Sequence, residues 1–276
     1  MKRRPMCLVG PCLLAGAIIG GCAQRQAESD ARSPTAESSQ RELVAPQERA
    51  ATSTPASTPT ETIPPANLVA IFPHVRLDAQ RRVIEFDGFV PIDCHHEQTP
   101  VVYLEVIACA RDSKEHESLV ATDAKASHIH AAMLMLGIEP GVPGRWTFDG
   151  GEVQSHAPTG PAVSITIAYQ RGSTWVESPA HEWVTTTEGA AHPLTPPADG
   201  RAWLFAGSRI VTWQGADYYD ADGTGVIIGL TTFGSEVIAW HEVFSHDSAV
   251  QTPEWIANTA KVPPVMTPVV VRIGVK

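Results

Sequence analysis

Residues able to bind a metal or move a proton crowd into positions 94–130, among them Cys94, His95, His96, Cys109, Glu115, His116, Glu117, His128 and His130. Imidazole and thiolate side chains suit zinc or copper. From Cys109 the spacing reads Cys-x6-His-x11-His-x-His, which matches no standard metal signature. On a helix, His128 and His130 point about 200° apart and cannot share an ion, whereas on a strand or in an extended lead-in they can. The candidate ligand or metal site is Cys109, Glu115, His116, Glu117, His128 and His130. Within it, His116, His128 and His130 are the metal-binding imidazoles, and Glu115 or Glu117 is placed to orient one of them. This requires the loop bearing His116 to fold back over a helix start near Ser127, within ~8 Å of His128 or His130. The alternative is a hydrogen-bonded plug under a helix, with His116 buried and one of the other two facing solvent. No residue is assigned a catalytic role.

Other chemical motifs fail at identifiable positions. A zinc-protease helix needs His-Glu-x-x-His, and His241-Glu242 meets Ser245 where the second histidine belongs. Gly223-Thr224-Gly225 continues to Ile228 where a dinucleotide loop needs Gly or Ala, so it reads as a hairpin turn. Asp220-Ala221-Asp222-Gly223 resembles half a calcium loop, but Tyr218 and Gly229 stand at the first and twelfth ligand positions. Cys94 and Cys109 are the only cysteines after residue 22. Two thiols cannot fill a four-cysteine iron–sulfur site. If the segments around them form a simple hairpin the two lie ~30 Å apart, too far for a disulfide, and whether they pair is left open.

These residues need a scaffold, and the chain announces its parts. Lys2, Arg3 and Arg4 precede an apolar run from Leu8 to Ile19, the layout of a secretory signal. It ends Ile19-Gly20-Gly21-Cys22, which resembles a bacterial lipobox with Cys22 as the lipidated residue. Ala23 follows the cysteine, a pattern similar to outer-membrane sorting. Residues 22–65, rich in Ser, Thr, Pro and Ala, hold no aromatic residue. Such a segment buries too little apolar surface to offset its ordering entropy, so a disordered tether is expected. The whole chain of 276 residues carries net charge −10, and without residues 1–21 the balance is −13. An acidic chain does not track nucleic-acid phosphates.

Residues 66–276 read as one strand-rich domain. Val163, Ile165, Ile167 and Tyr169 alternate with smaller or polar residues, and Arg171-Gly172-Ser173 turns that strand back into Thr174–Glu177. Further strands are expected over 82–89, 101–108, 201–213, 225–232, 236–240 and 268–275. One helix stands out near 128–136, with Ser127 as N-cap, six apolar residues from Ala131 to Leu136, and Gly137 as its stop. An all-round apolar helix should be buried. The expected fold is therefore α+β, with a mainly antiparallel sheet and one short buried helix inside or between its layers.

Several ordered segments resemble the YdjY-domain family of bacterial envelope lipoproteins. They are Cys109, Lys114–Leu119, His128-Ile129-His130-Ala131-Ala132 with the run to Gly137, Trp203–Ser208, Asp222–Gly225, Val262-Pro263-Pro264 and Thr267-Pro268-Val269. Met266 replaces a usual glycine, and Thr232 stands where the family tends to have asparagine. The resemblance implies a single domain over 66–276 on a membrane-anchored lipoprotein. It names no activity. The expected function is a non-enzymatic binding or accessory module for a protein partner, a metal or a small ligand. The other class is a redox or hydrolytic accessory enzyme using Cys109 or His116. The partner expected from Cys22 is the lipid bilayer, with the outer membrane facing the periplasm favoured over the inner one. An envelope protein partner is a further expectation, and nucleic acid is not.

Overall fold

Alternation of apolar and polar residues sets which side of each strand faces the core. In the computed structural model, which describes residues 67–98, 101–187, 189–247, 250–252 and 254–275, that alternation is wrapped into a barrel. The expected signal segment, Cys22 and the tether to residue 65 lie outside the described residues. The barrel strands are β1 (Val83–Phe89), β2 (Val106–Ala110), β3 (Ser118–Thr122), β4 (Ala162–Arg171), β5 (Trp203–Phe205), β6 (Val226–Gly229), β7 (Ile238–Trp240) and β8 (Pro268–Val275). Their order around the barrel is β1-β8-β4-β5-β7-β6-β2-β3, and β3 returns to β1 through the pair Phe89–Ala121. The β2–β3 and β6–β7 seams are parallel, and the other six are antiparallel. Ile84, Phe86, Leu119, Ile167, Phe205 and Ile227 are among the fully buried side chains of the core.

This corrects the expected α+β sheet: the described body is a closed eight-stranded β-barrel with two short helices beside it. Closure leaves no trace in alternation, because the pattern shows which face is buried and not which strand is the neighbour. At the closing seam β1 needs Gly88. A Cβ there would lie 2.5 Å from Val120 Cγ1 and 2.8 Å from Ala121 O.

Helix α1 (Ala126–Met135) is also less buried than its composition implies. Ala126, Ile129, Ala132 and Met133 form its buried face, while Leu134 and Met135 are 47% and 57% exposed. Ser127 is not its N-cap. Lys125 holds that position without a side-chain bond, and the Ser127 N–H donates to Asp222 Oδ1 at 2.9 Å. Asp222 belongs to a one-turn helix, α2 (Asp220–Thr224), which replaces the hairpin expected at residues 223–225. At the other end Arg82 Nη1 donates to Leu136 O at 3.1 Å, and Gly137, at φ 74°, is the expected stop. Both sets of free backbone groups on α1 are thus satisfied partly from distant segments.

The hairpin of β4 with Thr174–Pro179 forms as expected. The single strand expected over 201–213 breaks at Gly207 and Ser208, both at positive φ, into β5 and Ile210–Trp213. Met266, where the resembled family usually has glycine, has φ 64°, a backbone region in which a side chain is strained.

The outer face of the barrel carries an ion ladder across adjacent strands. Arg76 pairs with Asp87 (2.6 Å) and approaches Glu85 (3.5 Å), Arg272 bonds Glu85 (2.5 Å) and Glu177, and Thr166 Oγ1 donates to Glu177 Oε1 at 2.6 Å. The Glu85 and Arg272 side chains are 3% and 9% exposed, so solvent screens this pair weakly. Breaking a buried pair from one side strands the other charge. Arg272→Met should therefore lower the unfolding free energy by about 3–5 kcal/mol in equilibrium denaturation, and adding Glu85→Gln should restore part of it. Equal stability of Arg272→Met and wild type would show that the ladder is not a determinant of the fold.

Candidate functional site

Two carboxylates from separate strands meet because of a parallel seam. β2 and β3 pair with Val106 opposite Ser118, so the residues just before each strand, Glu105 and Glu117, become neighbours. The Glu105 N–H donates to Glu117 O at 3.0 Å. Gly229, the last residue of β6, lies opposite Val106. The chain beyond it therefore arrives at the same barrel end, where the Leu230 and Thr231 N–H groups donate to Glu105 O at 3.0 and 2.9 Å. β7 runs parallel to β6 and delivers Phe244, Ser245 and His246 there as well. Thr232 fastens this last segment: its N–H donates to Phe244 O at 2.8 Å, and its Oγ1 accepts from Phe244 N–H at 3.3 Å.

Lys114, in the crossover from β2 to β3, reaches Glu105 Oε2 at 3.4 Å and bonds Glu117 Oε1. Its ammonium also lies 4.5 Å from the centre of the Phe233 ring, which stacks on His246 at 5.1 Å and 28°. Opposite these groups, Trp255 comes from a three-stranded sheet (Val184–Thr186, Gly189–Pro193, Trp255–Ala257) joined to the barrel mouth by Leu104 N–H to Trp255 O, 2.9 Å. The Phe244 and Trp255 rings are perpendicular, 85° at 5.4 Å.

Tyr103, Glu105, Glu117, Thr231, Phe244 and Trp255 are among the residues that line a cavity of about 170 Å³, with Glu254. No Lys or Arg is among its described lining residues. Burial pushes the Glu105 carboxyl above the usual carboxylate range, and the charge of Glu117 adds to the push against the opposing effect of Lys114. The arrangement can accept hydrogen bonds, offer ring faces and hold positive charge.

The residues singled out in the sequence are distributed differently. Glu117 lines the cavity. His116, beside it in the 3₁₀ turn Glu115–Glu117, has a side chain 79% exposed and stands 3.7 Å from Glu117 Oε2. Glu115, in the same turn, is half-buried. Cys109 is fully buried, packed with Val106, Ala121 and Val226 outside the main core, and its thiol is pushed up by burial. Cys94 and Cys109 are both free. His128 and His130 lie beyond the far end of β3, which is five residues long, or about 16 Å at ~3.3 Å per residue. The His128 ring stacks on Phe72 at 4.6 Å, and its Nδ1 is buried with no hydrogen-bond partner among the described residues. His130 Nδ1 is 2.7 Å from Tyr219 Oη, whose hydroxyl donates to Gly207 O at 3.0 Å, so the imidazole is the donor to the phenol. Burial holds the His130 pKa low.

The structure thus does not bring His116 to His128 and His130. Among the described residues no group of three or more His, Cys, Asp or Glu side chains is placed to hold a metal. What sequence reasoning passed over is Glu105, with Tyr103, Thr231, Phe244 and Trp255. Glu105 had a signal: it is the one charged residue in the apolar run 101–109.

The sequence model of the YdjY domain matches residues 75–274. No curated protein and no solved structure matches the chain.

The crossover that carries Thr231 is held by a second buried carboxylate. Glu236 is 1% exposed, and its Oε2 accepts from the Ser235 N–H at 3.0 Å. Burial outweighs the backbone amides of residues 233–236 and raises its pKa to about 7. A carboxyl raised in the folded state favours folding while it is protonated. That contribution is full below the unfolded pKa, near ~4.3, and is lost as pH rises through about 7. Glu236→Gln should match wild type in stability near pH 4 and exceed it by about 1–3 kcal/mol at pH 8. Denaturation curves for the two chains that stay parallel across this range would refute the assignment.

Proposed function

The chain belongs to the YdjY-domain family, and from that premise we propose that it is a lipid-anchored module of the bacterial cell envelope that binds a small solute without transforming it. The observation that carries this reading is the cavity of about 170 Å³ at one barrel end, where Glu105, Glu117, Thr231 and a perpendicular ring pair converge. Pockets of this kind, mostly apolar with a few convergent polar groups, are where small molecules bind. Cys22, following Ile19-Gly20-Gly21, is the lipid attachment point in this reading, and Ala23 favours the outer membrane facing the periplasm. No helix among the described residues is long and apolar enough to cross a membrane.

The enzymatic reading at Cys109 and His116 has less support. A nucleophilic thiol needs access, a lowered pKa and a base in reach. Cys109 has no exposed surface and a raised pKa, and the His116 side chain faces solvent.

Two measurements test the proposal. Cys22→Ser should release the folded chain from washed membranes, and a signal-cleaved mutant that remains membrane-bound would remove lipid as the anchor. In the same soluble variant, amide NMR spectra recorded with a panel of sugars, amines, carboxylates and amino acids should show at least one class shifting Leu104, Glu105, Thr231 and Phe244 together. If every class leaves those four amides unmoved at millimolar concentration, the cavity is not a binding site.

A further inference from the structure

We propose that the cavity selects a small organic cation, a molecule presenting an ammonium or guanidinium group. This rests on the reading of the cavity as a binding site and adds the charge and class of what enters it.

Three independent features of the lining agree. The first is an unbalanced charge. Glu105, Glu117 and Glu254 are acidic residues of the lining, and Lys114, which contacts the first two, is not part of it. Lys114 is committed to Phe233 and the two glutamates, so one lysine stands against three acids. An entering anion would meet these carboxylates with no Lys or Arg in the described lining to receive it. An entering cation offsets part of that excess.

The second feature is the ring geometry. Phe244 and Trp255, at 85° and 5.4 Å, make two perpendicular walls, and Tyr103, 49% exposed, stands at the rim. Ring faces carry partial negative charge and attract a cation lying within ~6 Å of their centres. An anion gains nothing from the carboxylates and rings together, whereas an ammonium bearing alkyl groups uses both. The third is size. A volume of about 170 Å³ holds roughly five or six water-sized groups, at ~30 Å³ each. That suits a trimethylammonium or an aminoalkyl head rather than a whole peptide or oligosaccharide.

The discriminating experiment compares choline and 1,4-diaminobutane with 3,3-dimethylbutan-1-ol, the uncharged isostere of choline. Each is titrated into the full chain carrying Cys22→Ser, with acetate and glucose as further probes. At least one ammonium probe should shift the Leu104, Thr231 and Phe244 amides and bind about tenfold or more tightly than the isostere, the size expected of a partly desolvated cation–π and carboxylate contact. Glu117→Gln and Phe244→Leu should each weaken that probe by about fivefold or more while leaving the far-barrel amides of Ala132 and Gly137 in place, which reports that the chain stays folded. An isostere that binds as tightly as the better of the two ammonium probes overturns the cationic assignment. So does binding of acetate or glucose with neither ammonium probe bound, although the cavity then survives as a binding site. If none of the five probes moves those amides, the cationic assignment falls, and the wider panel decides whether the cavity reading falls with it.

Discussion

Barrel closure depends on how near β1 can come to β3. Only the pair Phe89–Ala121 joins them in register, and the approach is so close that residue 88 has no room for a Cβ. Thr122 Oγ1 reinforces the join by donating to Asp87 O. With β3 held against β1 on one side, its other side is paired to β2, and that pairing is parallel. A parallel neighbour cannot be reached by a tight turn, so residues 111–117 must travel back along the barrel. That return path is what sets Glu117 beside Glu105 and swings Lys114 across both. The second parallel seam, β6–β7, repeats the device, and its crossover delivers Thr231 and Thr232 to the same mouth.

The two parallel crossovers handle buried negative charge in different ways. Glu236 is held by backbone amides of its own loop, dipoles that are fixed once the chain turns at Gly234 (φ 79°). Glu105 and Glu117 instead share the mobile charge of one lysine. Amides that belong to the loop cannot be recruited elsewhere, so Glu236 serves the architecture. A lysine shared by two acids leaves carboxylate capacity unused, and that capacity borders a cavity. The outer ladder of Arg76, Glu85, Arg272 and Glu177 differs from both. Its acids alternate with arginines.

Much of the local structure was legible. The β4 hairpin and β8 follow from alternation and a Gly-containing turn, and Gly137 stops α1 where a left-handed residue is needed. Closure was not legible, because Val106 and Ser118 must be known to pair before Glu105 and Glu117 can be seen as one site. Their separation by twelve positions carries no helical or strand period. The capping of α1 misled for a similar reason. Ser127 has the right residue type, but Asp222, brought in by the fold from 95 residues away, supplies the oxygen.

Residue chemistry alone pointed to the barrel end opposite the cavity. His128 and His130 flank Ile129 at the start of α1, and the helix must bury Ile129 to seat itself, so both imidazoles are carried into partly buried surroundings. There they are used as flat, packable rings: His128 against Phe72, His130 between Phe205 and Tyr219 with its N–H spent on the phenol. A histidine committed in this way has little left for a metal. Glu105, by contrast, stands between Leu104 and Val106 in an apolar stretch of chain, with a carboxyl that burial disfavours. A charge kept where the strand pattern calls for an apolar residue costs stability, and it persists in a fold when something nearby makes use of it. That mismatch between residue and environment, more than residue type, is what singles out the Glu105 end of the barrel for the binding role proposed above.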